Sequence, residues 1–241
     1  MTGTPFDFRH GAAAVHEATE RLLVSVGKLD DAAAREPSLL PGWTRGHVLA
    51  HLARNADALV NLLNWARTDV RTPMYASADA RAADIERDAD RPLAEHLTDL
   101  RATAARFDAA AAALPPDRFG YQVEMRNGVV ERAERLALRR LAEVELHHVD
   151  LDVGYTVDQL PPEFVHAELR FLATVKFAGH GGLPALLLVT DDGQRWPTGR
   201  PEGPPLTVTG SAHALVGWLT GRTDGTGLDS GGGPLPKVPP L

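Results

Sequence analysis

The sequence predicts a mainly α protein, an N-terminal four-helix bundle followed by a smaller C-terminal α+β domain. Three observations carry this expectation. Four segments in the first two thirds of the chain repeat apolar residues at helical spacing. Each runs for ~20 residues, or about 30 Å of helix, the length of a bundle element. After about residue 154 the pattern changes to helix and strand signals broken by Pro and Gly, which sets the domains at 1–154 and 155–241.

The first helix is expected over 11–29, with Val15, Leu22, Val26 and Leu29 on one face. Pro37, Pro41 and Gly42 break the chain in "REPSLLPGW", and Thr44 is the candidate N-cap of the second helix. That helix carries His51, Asn55, Leu59 and Leu62 on one stripe. Ser77 is a candidate cap for a short polar helix. A third long helix covers about 91–114, with Pro92 in its first turn and Leu93, Leu97, Leu100, Ala104, Phe107 and Ala111 facing inward. "GYQVEMRNGVVER" reads as a hairpin turning at Asn127-Gly128, and the fourth helix is expected over about 131–151. In the second domain Pro161 and Pro162 open a helix. "LPALLLVTDDGQRWPTG" reads as two strands about an Asp-Gly turn. A further strand leads into a helix capped by Ser211 and closed by Gly221. The Gly- and Pro-rich tail is expected to be irregular.

The chain has 241 residues, 44% hydrophobic and 24% charged, the balance of a soluble globular protein. A net charge of −7 argues against a sequence-independent grip on nucleic acid. There is no polybasic patch for an anionic membrane, no basic-then-apolar secretory leader, and no apolar run near the ~18 residues of a membrane span. These features point to the cytoplasm, and the lack of a coiled-coil seam points to a monomer. With 0 Cys the chain has no disulfide, no thiolate-ligated zinc and no thiol nucleophile of its own.

The stretch "LAEVELHHVDL" has a buried helix's rhythm yet carries Glu143, Glu145, His147, His148 and Asp150. Glu143 and His147 are one helical turn apart and share a face, as does Asp150. The pair can grip one divalent cation with Asp150 orienting the imidazole, or the face is simply wet. His148 points about 100° away and is expected to be exposed. On the second helix His47 and His51 have the same spacing. They are either a two-histidine grip or one core and one surface histidine. In a bundle, metal sites are built from facing helices, and the two stretches together offer His51, Glu143 and His147. Two imidazoles and a carboxylate suit Zn²⁺ or a similar ion and leave a fourth position open, the pattern of a catalytic site. Arg222, past Gly221, is either a carboxylate-binding fork or a surface arginine. "TPMYASADAR", with Met74 and Tyr75, reads as a connector that could line a substrate. His10, His16, His96, His166, His180 and His213 are isolated and receive no role.

"LLPGWTRGHVLAHLARNADAL", "TPMYAS", "AEVELHHVDL" and the later "GWLTGRTDG" together resemble the mycothiol-dependent maleylpyruvate isomerases, within the wider DinB-like superfamily of metal-binding bundles. The resemblance covers most of the chain. It implies zinc held by His51, Glu143 and His147, with His47 outside the ligand set, and an arginine needed for activity at Arg222. It implies a small-molecule substrate and mycothiol as thiol cosubstrate, which would account for the absent cysteine. The family reaction is cis–trans isomerisation of maleylpyruvate to fumarylpyruvate in gentisate-type aromatic degradation. The alternatives share the metal site: a mycothiol S-transferase or detoxifying hydrolase acting on another electrophile, or a binding protein. A closed site with Asp150 or His47 as fourth ligand would mark the binding protein.

Overall fold

The computed structural model describes residues 7–126 and 128–241. The chain divides into two compact units, the first ending at Gly154 and the second spanning Tyr155–Leu241. No helix among the described residues is long and apolar enough to cross a membrane.

Four long helices make the first unit: α1 (Phe8–Val26), α3 (Arg45–Thr68), α5 (Leu93–Ala113) and α6 (Leu136–Asp150). Each packs against two others, α1 against α5 and α6, and α3 likewise, so the four close a ring around one core. Leu22, Val48, Leu52, Leu62, Phe107, Leu136 and Leu141 are almost wholly buried there. A short α2 (Asp31–Arg35) and the polar α4 (Ala78–Ala89) lie between the long helices. The caps follow the sequence signals. Asp7, Thr44 and Ser77 each accept a backbone N–H from the residue three positions on. Gly46 lets α4 approach α3 closely, since a Cβ there would meet the carbonyl oxygen of Ala89 at 2.1 Å.

In the second unit α7 (Pro162–Phe171) starts on its proline and runs on into a π turn, Leu172–Lys176. Strand β3 (Leu186–Thr190) is central in a three-stranded sheet, antiparallel to β4 (Arg195–Thr198) and parallel to β5 (Leu206–Gly210). Pro197 sits on β4, an edge strand, where a missing donor is tolerated. The β3–β4 turn contains Gly193 at φ 84°, a conformation that suits glycine. α8 (Ala212–Leu219) is capped by Ser211, which accepts from the Ala214 N–H, and Gly221 follows at φ 74°.

Three expectations need correction. α6 starts at Leu136 rather than near 131, because Val130–Arg132 form strand β2 against β1 (Gln122–Glu124), with Glu131 opposite Val123. Glu131 is buried and held by Arg135 and Arg139 at 3.2 and 3.3 Å, which fixes the chain in the strand before it can wind. Of the hairpin turn, Asn127 lies outside the described residues. α1 ends at Val26, leaving Leu29 beyond it. His148 is not exposed but 2% accessible. α6 is enclosed by α1 on one side and α3 on another, so its second polar face is also covered. There Glu145, 1% exposed as a side chain, pairs with Arg21 of α1 at 2.6 Å.

Burial, reinforced by Arg21, pushes the His148 imidazole down to about 4. The folded protein therefore holds it neutral while the unfolded chain takes up a proton below about pH 6.5, so stability is complete above that value and is lost as pH falls towards 4. The difference is worth about 3 kcal/mol. In urea titrations between pH 7.5 and 4.5, His148→Gln should flatten this loss. His51 and His96, also lowered by burial, retain the remainder. An unchanged pH slope in the variant would remove His148 as a cause.

Candidate metal centre

The site begins with how α3 starts. The Thr44 hydroxyl accepts the His47 N–H at 3.3 Å, and the His47 Nδ1 accepts the Thr44 N–H at 3.2 Å. His47 thus plays the part that Glu or Gln plays in an ordinary capping box. Its ring stacks on Trp43 at 6.1 Å, and its Nε2 lies 3.3 Å from Glu86. Both nitrogens are occupied in ending a helix and joining it to α4.

His51, one turn further along α3, points into the bundle and is 5% exposed. Its Nε2 lies 2.9 Å from Oε2 of Glu143 on α6. The same oxygen lies 3.3 Å from Nε2 of His147. The rings of His51 and His147 meet edge to face, 4.7 Å between centroids. One donor atom from each of His51, Glu143 and His147 falls within 4.8 Å of the others. Ligands on a tetrahedral zinc ion at 2.0–2.1 Å are about 3.3 Å apart, so the donor set and its spacing fit a divalent cation. Asp150 takes no place in this cluster. Its Oδ2 lies 2.7 Å from Nδ1 of His147, on the far side of the ring, where it fixes the tautomer that offers Nε2 to the cluster.

The electrostatics match this arrangement. Burial alone would raise the Glu143 carboxyl, but hydrogen bonds from His147 and His51 outweigh it and hold the group well below the usual carboxylate range. Burial would lower His147, but Asp150 and then Glu143 reverse this and raise it. Burial prevails at His51, which is lowered despite Glu143.

Arg81 of α4 was not legible as a site residue. Its Nη2 lies 3.0 Å from Nδ1 of His51, and its guanidinium covers the Tyr75 ring at 5.7 Å. The stretch that holds both residues has no periodicity to mark it. Met74 is buried there. Arg222 lies just past α8 in the second unit, half-buried, and its Nη1 donates to the Thr220 carbonyl at 2.7 Å.

Fold and donor set together define a four-helix bundle with a candidate two-histidine, one-glutamate metal centre. The sequence matches the family model described as the mycothiol maleylpyruvate isomerase N-terminal domain over residues 15–152, and the MDMPI C-terminal domain over 159–240. The chain belongs to the mycothiol maleylpyruvate isomerase family. The crystal structure of the mycothiol-dependent maleylpyruvate isomerase is similar over 99% of this chain and 100% of that one, at a TM-score of 0.87 and 29% identity. A crystal structure of a mutant of the mycothiol-dependent maleylpyruvate isomerase, with one histidine replaced by alanine, aligns over 99% of this chain and 100% of its own at 0.86 and 28%. No curated protein matches this sequence.

A cation taken up by the cluster competes with protonation of His147 at Nε2, which Asp150 and Glu143 favour, while the Nδ1 proton facing Asp150 stays in place. Divalent-metal affinity should therefore fall as pH drops and His147 takes up its second proton, with proton release visible by calorimetry in buffers of different ionisation enthalpy. Asp150→Asn should weaken the affinity about tenfold. Metal uptake without proton release, or wild-type affinity in Asp150→Asn, would contradict this assignment of the ligands.

Proposed function

We propose that this protein is a zinc-dependent cis–trans isomerase that converts maleylpyruvate to fumarylpyruvate with mycothiol as cosubstrate, a cytoplasmic step of gentisate-type aromatic degradation. The observation that carries the reading is the convergence of His51, Glu143 and His147 on one point between α3 and α6. Membership of the family and the lack of any cysteine support it.

His51, Glu143 and His147 would hold the metal. When bound, a divalent cation supplies thiol acidification, since a free thiol of pKa about 8.5 is mostly protonated near neutrality. The reaction itself follows from the bond that must turn. A cis double bond conjugated to a carbonyl does not rotate until its order falls. Addition of the mycothiol thiolate to the conjugated carbon forms a C–S bond and moves the π electrons onto the carbonyl oxygen as an enolate. The former double bond is then single and rotates. Collapse of the enolate expels the thiolate and restores the double bond as trans.

The chain's own residues orient and neutralise. Asp150 keeps the His147 tautomer fixed, and Trp43, 5.6 Å from His51 by ring centroids, flanks the cluster with apolar surface. Arg81 brings a positive charge beside His51, suited to an anionic substrate. We assign Arg222 to the substrate's negative charge, either a carboxylate or the enolate oxygen.

His51→Ala should lose both metal and isomerase activity, because two donors from one helix grip a cation poorly. Arg222→Ala should retain the metal and lose rate by about a hundredfold or more, the scale of one removed charge-stabilising donor. Isomerase activity in metal-free His51→Ala would reject the site. A further test measures cis-to-trans conversion of maleylpyruvate with and without mycothiol, beside a panel of other electrophiles. Strict thiol dependence with maleylpyruvate preferred is expected, whereas thioether products from the other electrophiles would make the protein an S-transferase.

A further inference from the structure

We propose that Arg140 is a positioning residue for the metal centre: it sets α3 and α6 in the register that brings His51 against Glu143 and His147. The inference rests on the metal reading above and assigns the work of assembling that site to a residue outside it.

Arg140 is on α6, three residues before Glu143, and is 1% exposed. Its Nη1 donates to the backbone carbonyl of Leu52 at 2.9 Å and to Oδ1 of Asn55 at 2.8 Å. Leu52 follows His51 directly, and Asn55 lies one turn beyond it. On each helix the anchor of this clamp is therefore about one turn from a metal donor. The clamp and the donor set form adjacent layers of the same helix pair. Asn55 shares the inward stripe with His51, which gives that buried amide a reason to be there.

The energetics argue that this arginine is not kept for stability. A buried ion loses several kcal/mol of hydration, and apolar residues of similar volume commonly serve a core as well or better. Both α3 partners of Arg140 are uncharged, and its Nε has no hydrogen-bond partner among the described residues. Burial lowers its pKa to about 10, opposed first by the charge of Glu143, so it stays protonated at neutral pH. What the guanidinium offers and a Met or Leu does not is direction. The Leu52 carbonyl belongs to the rigid backbone of α3, so a bond to it reads the position of the helix rather than a side-chain rotamer. Sliding one helix along the other breaks both bonds and draws His51 away from Glu143.

The test measures Zn²⁺ affinity of the full-length protein by chelator competition, beside helix content and Tm of the metal-free protein. Arg140→Met should keep its helix content while affinity weakens about tenfold or more, the usual cost of losing a group that orients ligands. Arg140→Lys should recover part of the loss. Asn55→Ala should weaken binding in the same direction, and the double variant with Arg140→Met should be no worse than Arg140→Met alone. A folded Arg140→Met with wild-type affinity overturns the proposal. Should that variant not fold, Asn55→Ala decides: folded with wild-type affinity, it overturns the proposal equally, and folded with weakened affinity, it supports it. A wild-type protein that takes up no divalent cation sinks the metal reading and this inference with it, whereas tight wild-type binding unchanged in the variants sinks this inference alone.

Discussion

A single carboxylate oxygen, Oε2 of Glu143, lies within 2.9 Å of one imidazole nitrogen and 3.3 Å of another, from two helices distant in sequence. A carboxylate in that setting is costly unless something positive or proton-donating meets it. The bundle's inward polar layer is organised to meet that need. His51 comes from α3, His147 from the next turn of α6, and Asp150 backs His147 from behind. Remove Glu143 and two largely buried imidazoles face each other with no negative group between them.

The same helix pair is tied at several heights. Arg45, at the start of α3, donates through Nε to the Leu151 carbonyl at 2.7 Å and through Nη1 to Glu36 at 2.6 Å. Arg140 ties the pair one turn beyond the donors. The His47 capping box starts α3 at a defined residue and reaches Glu86 of α4. The "WTRGHVLAH" stretch thus holds a cap, a strut and a candidate ligand within nine residues. Its histidines have separate duties: one caps the start of a helix and the other faces the cluster.

Much of this was legible because it is local. Period-3.6 apolar stripes, Thr44, Ser77 and Ser211 as caps, and an Asp-Gly turn each act over a few residues, so spacing alone reveals them. The grouping of His51 with Glu143 and His147 depended on the bundle expectation, which converts two separate i,i+4 pairs into facing ones. What escaped depended on tertiary cover. His148 and Glu145 look like a wet face until α1 is laid across them. The expected helix start near 131 overlapped the expected hairpin, and the pairing of Val130–Arg132 with Gln122–Glu124 decides that overlap for the hairpin. Arg81 and Arg140 are ordinary charged residues in sequence, and only their neighbours across the bundle, His51 and Asn55, distinguish them.

All three donors lie between positions 51 and 147, inside the unit that ends at Gly154. Among the described residues, none beyond that glycine belongs to the candidate donor set. The cluster's geometry is therefore the bundle's own property, kept or lost with the packing of α3 against α6.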